Sequence, residues 1–580
     1  MAVVLSGNEA VARGAFEAGV KVAAAYPGTP STEILENFVK YEGVYGEWSP
    51  NEKVALEVGF GASLGGARAL VVMKHVGLNV AADPLMTLSY IGVNGGLVVV
   101  TADDPGMHSS QNEQDNRLYA RFAKIPLIEP SDSQEAKDFL KVAYDLSERF
   151  DTPVLFRLTT RVAHGRSPVV LGERKQIPLR DYAKNVPKNV MLPVYARQRH
   201  LRVEERRKEL ATFAEKSTLN QIIWGGRKFG IIASGVSYQY AREALGEEAS
   251  YLKLGLSYPL PLGLVREFAE QVEQLFVVEE LEPFIEEQLK AAGFSVVGKE
   301  VFPRTGELSP ELIARRIRGT SPFQVHFSRP EGLPNRPPLM CPGCPHRGVF
   351  YVLKKLKVVV TGDIGCYTLG ALPPFQAMDS CLCMGASIGA SLGLEKARGK
   401  DFARQVVAVI GDSTFVHSGL TGLVDLIYNK GTGTVIILDN RTTAMTGHQD
   451  HPGTGFTIKK EETKALDFAE VASAIGVKRV STVDPYDLEN LERVIQEELA
   501  SEEVSVIISK RPCVLLNPPK VDKRIEVDAD KCKGCKRCLQ LACPALSFAG
   551  DRVSVNEEIC NCCSLCVQVC PHQALKVGER

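Results

Sequence analysis

QVVAVIGDSTFVHSGLTGLVDLIYNKGTGTVIILDNRTT, residues 405–443, holds the decision about the fold. Two apolar, β-branched runs, QVVAVIG (405–411) and TVIILDN (434–440), flank the helix-like stretch HSGLTGLVDLIYNKG. Strand, helix and strand in that order predict a right-handed βαβ unit in a parallel sheet. Both strands then end on the edge of the sheet where ligands bind. Gly411-Asp412-Ser413 leaves the first strand there, and Asp439-Asn440-Arg441-Thr442 leaves the second. Asp412 and Asn440 offer hard oxygens to one Mg²⁺, and the Thr442 carbonyl offers a third. Magnesium prefers a few protein oxygens together with the phosphates it bridges. A strand ending in Gly-Asp is also an ordinary turn, so the matching Asp-Asn-x-Thr one strand later carries the weight.

The same alternation extends outward in both directions. ALVVMK (69–74), GLVVVTA (96–102) and TPVLFRLTT (152–160) read as buried strands of one α/β region. KFGIIASG (228–235) and QLFVVEE (274–280) read as strands of a second, and KVVVTG (357–362) opens the third. RQRHLRVEERRKELATFAEK (197–216) reads as a solvated helical connector, and RPEGLPNRPP (329–338) as a linker. The expected fold is α/β: three parallel-sheet domains at 1–195, 220–330 and 339–520, then a small α+β domain at 525–580.

That last domain carries nine of the fifteen cysteines. Cys532-x2-Cys535-x2-Cys538 precedes Cys543-Pro544, and Cys560-x2-Cys563-x2-Cys566-x3-Cys570 precedes Pro571. Two such runs match the ligand pattern of a two-cluster bacterial ferredoxin, in which the fourth Cys of each run serves the other cluster. Cys532, Cys535, Cys538 and Cys570 then hold one [4Fe–4S] cluster, and Cys560, Cys563, Cys566 and Cys543 hold the second. The first run departs by one residue before Cys543, and Cys562 has no role. A structural zinc site is the plainer alternative, but zinc seldom uses C-x2-C-x2-C.

Lys and Arg number 68 against 69 Asp and Glu, a net charge of −1, so no overall field favours nucleic acid or an anionic membrane. MAVVLSGNEAVARGAFEAG lacks the basic and apolar regions of a signal peptide, and no apolar run is long enough to span a bilayer. Many thiols without an export signal imply metal ligation in a reducing compartment, the cytoplasm.

The Asp412/Asn440 pattern resembles the thiamine diphosphate motif, with Ser413 in place of a Gly and Asp439 in place of an Asn. Thiamine enzymes also use a glutamate that contacts the aminopyrimidine ring. Asn51-Glu52-Lys53, ahead of the small-residue helix VALEVGFGASLGG, resembles that site. A carboxylate at a helix N-terminus is the plainer reading of Glu52.

YPGTPSTEIL (26–35), ADDPGMHSSQNEQD (102–115), CPGCPHRG (341–348), GDIGCYTLG (362–370) and CMGASIG (383–389) extend the resemblance over the whole chain. Together they resemble the 2-oxoacid:ferredoxin oxidoreductases, and among these the alpha subunits of the indolepyruvate type. The resemblance implies decarboxylation of an aryl 2-oxoacid, electron delivery to ferredoxin and an acyl-CoA product. It also implies a smaller beta subunit, in an α2β2-type hetero-oligomer. Thr29 is implied to face substrate, with His108, Ser109 and Ser110 as further candidates. Met384 and Gly385 are implied to bind cofactor. His448 and His451 border the diphosphate or substrate, or are surface residues. The resemblance further implies a third [4Fe–4S] cluster on Cys341, Cys344, Cys366 and Cys513, beside the thiamine. Loop thiols and core packing are the alternative for those four, and Cys381 and Cys383 form a competing pair. Another 2-oxoacid specificity, or a non-oxidative thiamine lyase, stays open at this stage.

Overall fold

Apolar runs rich in Val and Ile form the strands, and polar residues at their ends form the site. A computed structural model describes residues 2–320, 332–333, 337–516, 518 and 522–579; most of the 329–338 linker lies outside these residues. The chain divides into two units, Met1–Arg329 and Pro330–Arg580.

The first unit is built on a seven-stranded sheet in the order Leu256–Tyr258, Leu127–Ile128, Val154–Thr159, Leu97–Asp103, Ala69–Lys74, Val22–Ala25, Tyr45–Trp48. All neighbours are parallel except Leu256–Tyr258, which runs antiparallel to Leu127–Ile128. A four-stranded sheet, Gln274–Val278, Phe229–Ser234, Ala249–Leu254, Asn220–Ile223, forms the second α/β region. That region therefore contributes one edge strand to the sheet of the first. The helix Pro193–Ala214 corrects the expectation of a solvated connector, because it buries Val203, Arg206, Leu210 and Ala214 along one face. Arg206 donates to Asp151 O at 2.7 Å and Ser89 O at 2.5 Å. Its apolar stem extends the buried stripe that the surrounding charges conceal in the sequence.

The second unit has six parallel strands, ordered Ser380–Cys381, Val359–Gly362, Val406–Gly411, Thr434–Asp439, Ser505–Lys510, Arg479–Val483. Alternation divides each strand between two cores. Val407, Val409, Ile436, Leu438 and Ile507 face one side. Ala408, Ile410, Val435, Ile437, Val506 and Ile508 face the other. The first core continues into the cysteine-rich region through Ile525, Leu541, Val553, Leu565 and Leu575. That region contributes two antiparallel pairs, Lys523–Val527 with Leu575–Glu579 and Leu546–Ala549 with Arg552–Val555. Among the described residues, no helix is long and apolar enough to cross a membrane.

Candidate active site and cysteine centres

Register builds the site. Gly411 lies opposite Leu438, so Asp412 and Asp439 leave adjacent parallel strands at one level. Asp412 is buried and accepts N–H bonds from Ser413 at Oδ1 and Arg441 at Oδ2, both at 2.8 Å. Arg441 takes a left-handed φ of 62°, which turns the chain back over the strand end. Asn440 Oδ1 accepts the Thr442 N–H at 3.2 Å, and its Nδ2 lies 3.4 Å from His346 Nε2. Burial holds the His346 imidazole down at about 4, so it is neutral and able to accept. Burial, and then the Asp412 carboxylate, pushes Asp439 up to about 6.

Tyr367 and Asp363 brace this edge. The Tyr367 hydroxyl accepts the Gly411 N–H at 2.9 Å and donates to Ile364 O at 3.1 Å. A Cβ at Gly411 would meet the Tyr367 ring at 2.8 Å. Asp363, leaving the strand Val359–Gly362, accepts the N–H groups of Gly385 at 2.8 Å and Ser387 at 3.1 Å. This fixes Met384 and Gly385 at the start of the helix Ala386–Arg398, with Gly385 at φ 87°. Ser413 Oγ accepts from Thr443 Oγ1 at 3.0 Å.

Asp412 and Asn440 bring a carboxylate and an amide oxygen to one sheet edge, a donor pair that fits Mg²⁺ and a diphosphate. Two buried imidazole nitrogens, His448 Nδ1 and His451 Nε2, have no hydrogen-bond partner within the described protein. His451 Nε2 lies 3.2 Å from Asp412 Oδ2, close enough for ion pairing but misaligned for a hydrogen bond. Its Nδ1 accepts from Gly453 N–H, which leaves Nε2 as the proton-bearing nitrogen of the neutral ring.

The cysteines fall into three groups. One cavity is lined by Cys532, Cys535, Cys538 and Cys570, a second by Cys543, Cys560, Cys563 and Cys566. Each combines three residues of one run with one of the other. The turns repeat: Gly534 and Lys536 are left-handed in the first run, Cys562 and Ser564 at the matching positions of the second. Cys562 lines neither cavity and acts as a turn residue. Burial pushes Cys563 up to about 11, with Cys543 and Cys560 adding to it.

Cys341, Cys344, Cys366 and Cys513 form the third group. Burial pushes Cys344 up to about 12, and Cys366 and Cys341 add to it. Cys366 rises to about 11 through burial, then Cys513 and Cys341. Burial also raises Cys513, and its N–H donates to Asn440 O at 2.9 Å. Free thiols held this high are protonated, and metal binding is what converts such groups to thiolates. Cys381 and Cys383 are exposed, on the neighbouring edge strand and its exit. Among the described residues, no three His, Cys, Asp or Glu side chains close around a point tightly enough to hold a single metal ion.

In the first unit, Glu52 opens the helix Glu52–Leu64 and is buried. Asn51 Oδ1 caps that helix by accepting the Val54 N–H at 2.9 Å. A Cβ at Gly77 would lie 2.5 Å from Glu52 Oε1, so glycine there makes room for the carboxylate. Lys74 ends the strand Ala69–Lys74 and donates to Ser109 O at 3.1 Å and Ser110 Oγ at 2.9 Å. Burial lowers its pKa, while Asp104 and Glu52 act in the other direction. Its stem packs on Gly28, next to Thr29. His108 instead lies 3.1 Å from Glu307 and is half-exposed. Sequence reading missed Lys74 and His346. The signal for Lys74 is a cation closing an otherwise apolar strand, and His346 lies inside CPGCPHRG.

Two families match parts of this arrangement. Residues 13–218 match "Pyruvate flavodoxin/ferredoxin oxidoreductase, thiamine diP-bdg", and residues 363–509 match "Thiamine pyrophosphate enzyme, C-terminal TPP binding domain". They define a thiamine diphosphate-dependent enzyme of the 2-oxoacid:ferredoxin oxidoreductase class. Indolepyruvate oxidoreductase subunit IorA of Methanothermobacter thermautotrophicus is 42% identical, covering 99% of this chain and 97% of its own. The IorA subunit of Archaeoglobus fulgidus is 40% identical, covering 100% and 98%. The chain belongs to the indolepyruvate oxidoreductase subunit IorA family. A solved 2-oxoglutarate:ferredoxin oxidoreductase from Magnetococcus marinus aligns at 16% identity and a TM-score of 0.47, over 55% of this chain and 65% of that one.

Proposed function

We propose that this chain catalyses oxidative decarboxylation of an aryl 2-oxoacid, indolepyruvate or a related arylpyruvate, to an acyl-CoA, with electrons passing through iron–sulfur clusters to a ferredoxin. The observation that carries this reading is the bond from Cys513 N–H to Asn440 O. It joins a thiol group suited to a redox centre to the oxygens suited to Mg²⁺, on one edge of one sheet. Thiamine diphosphate, when bound, supplies the electron sink that loss of CO₂ requires. Asp412, Asn440 and the Thr442 carbonyl hold its metal ion, with Gly411, Ser413, Met384 and Gly385 along the same edge. Glu52 takes the role at the aminopyrimidine, and Thr29 with Lys74 favours an anionic substrate. His108 takes a catalytic part only on leaving Glu307.

The two four-cysteine cavities support two [4Fe–4S] clusters in a ferredoxin-like domain at 525–580. Thiolates set around a cavity suit a cage better than a single zinc ion. Cys341, Cys344, Cys366 and Cys513 are assigned a third cluster. The remaining chain is read as thiamine-enzyme domains at 1–195, 220–330 and 339–520. The relatives' names support the aryl substrate and a beta subunit as partner, and the abundance of free thiols supports a cytoplasmic location. Anaerobic 2-oxoacid-dependent dye reduction by the chain with its partner subunit tests the reading. Indolepyruvate should drive reduction only with CoA present; CO₂ release without dye reduction would establish a non-oxidative lyase instead.

A further inference from the structure

Arg347 is 1% exposed, an environment that a guanidinium tolerates only with strong compensation. It stands on the first turn of the helix His346–Leu356, three residues after Cys344. Its Nε donates to Cys341 O at 3.0 Å and its Nη1 to Leu541 O at 2.8 Å, while Nη2 contacts Met340 O closely. One side chain thus ties the loop carrying Cys341 and Cys344 to the segment that leads into Cys543. It also lines the cavity formed by Cys543, Cys560, Cys563 and Cys566. A neighbouring bond reinforces the junction: Asn561 Nδ2 donates to Pro342 O at 2.8 Å.

Three carbonyls accept from Arg347 but leave its unit charge uncompensated. The fully buried Arg117 shows the usual solution, ion pairs to Asp115 at 2.5 Å and Glu279 at 2.7 Å. Burial lowers the pKa of Arg347, and the groups near enough to favour its charge are the thiols of Cys543, Cys344, Cys563 and Cys341. These come from both cysteine groups. Thiolates of bound clusters would supply the missing anions.

We infer that Arg347 is the shared counter-ion of two iron–sulfur centres, one on Cys341, Cys344, Cys366 and Cys513, the other on Cys543, Cys560, Cys563 and Cys566, and that its charge raises the reduction potential of both. The inference rests on the cluster assignment proposed above. A cluster gains one negative charge on reduction, so a desolvated cation beside it favours the reduced form. A single cation beside two centres acts on both in the same direction. The centre on Cys532, Cys535, Cys538 and Cys570 lacks this contact, since Arg347 is not among the residues lining its cavity.

The test uses the full chain, purified anaerobically, with iron analysis and redox titration followed by electron paramagnetic resonance. Arg347→Gln keeps two N–H donors without the charge, and Arg347→Lys keeps the charge without the planar fork. At unchanged iron content, Arg347→Gln should lower the reduction equilibrium of two of the three centres at least tenfold, a 59 mV shift for a one-electron couple. The third centre should hold its potential, and Arg347→Lys should recover most of the shift. Unmoved potentials, an equal shift of all three centres, or no recovery with Lys would each overturn the inference. Should Arg347→Gln lose iron, Arg347→Lys must keep both iron and wild-type potentials; iron loss in both variants would make Arg347 a packing residue. About eight irons per chain in the wild type would remove one of the two centres before any variant is made, and so identifies failure of the underlying assignment.

Discussion

Asp412 Oδ2 accepts the main-chain N–H of Arg441 at 2.8 Å, tying the exit of one parallel strand to the exit of the next. The bond fixes Asn440 beside Asp412, so the proposed metal site is organised by the backbone. Asp412→Ala removes both a metal oxygen and this tie. We expect the purified variant to lose thiamine diphosphate and Mg²⁺ while its iron content is unchanged, because the cysteine cavities draw on other residues. Thiamine content and iron are measured on one sample, and full thiamine occupancy in the variant would sink the metal assignment.

Glu52 is confined rather than merely exposed at a helix start, since Gly77 leaves no room between them for a Cβ. Glu52→Gln preserves shape and removes the ionisable oxygen. The cofactor should remain bound while deuterium exchange at its C2 position slows by orders of magnitude, as expected of a proton-transfer group. Gly77→Ala should reproduce part of that effect by displacing the carboxylate. Exchange at the wild-type rate in Glu52→Gln would contradict the role.

Cys562 occupies the left-handed turn position, φ 54°, that Gly534 occupies at 62° in the other run. A non-glycine residue there costs roughly 1–2 kcal/mol. Cys562→Gly should therefore keep full iron and raise the melting temperature of the anaerobic protein. Loss of iron in this variant would make Cys562 a ligand after all.

The parallel strands were legible because each is an apolar run closed by polar residues, as in QVVAVIGDS and TVIILDNRT. Asp412 and Asn440 could be placed on one edge because adjacent parallel strands exit together, and the cysteine cavities because two runs repeat the same short turns. Less legible was what long-range packing decides. Nothing local marks the stripe Val203, Leu210 and Ala214 within so charged a helix, because Arg206 fills its middle with an apolar stem. Arg347 likewise reads as a surface residue of an ordinary helix. Its burial depends on Leu541, far away in sequence. Lys74 becomes informative only when the fold brings Ser109, Ser110 and Gly28 to its side chain.

Glu280 provides a pH test within the first unit. Burial is the main force pushing it up to about 7 from an ordinary 4.5, although Leu308 N–H donates to it at 2.9 Å. The folded state thus favours the protonated acid. Its contribution to stability is fully present below about pH 4.5 and is lost as pH rises through about 7, an effect on the order of 3 kcal/mol by pH 8. Glu280→Gln keeps an acceptor for Leu308 and never ionises. The melting-temperature advantage of the variant should grow from pH 5 to pH 8; parallel curves would show that Glu280 does not titrate in this window.

Iron content decides the third cysteine group. Cys366 acts on Cys344, Cys513 acts on Cys366, and Cys341 acts on all three. Core packing accommodates protonated thiols from the 341–344 loop, the 362–370 segment and the strand exit at 513 without penalty, so their proximity alone does not settle their role. Four irons per cubane make about twelve irons per chain for three clusters. Cys341→Ser should lower that to about eight, with the two remaining centres still reducible and thiamine diphosphate still bound through Asp412. A wild-type value of about eight that Cys341→Ser leaves unaltered would reduce these four cysteines to packing residues and leave the two C-terminal cavities as the only cluster sites.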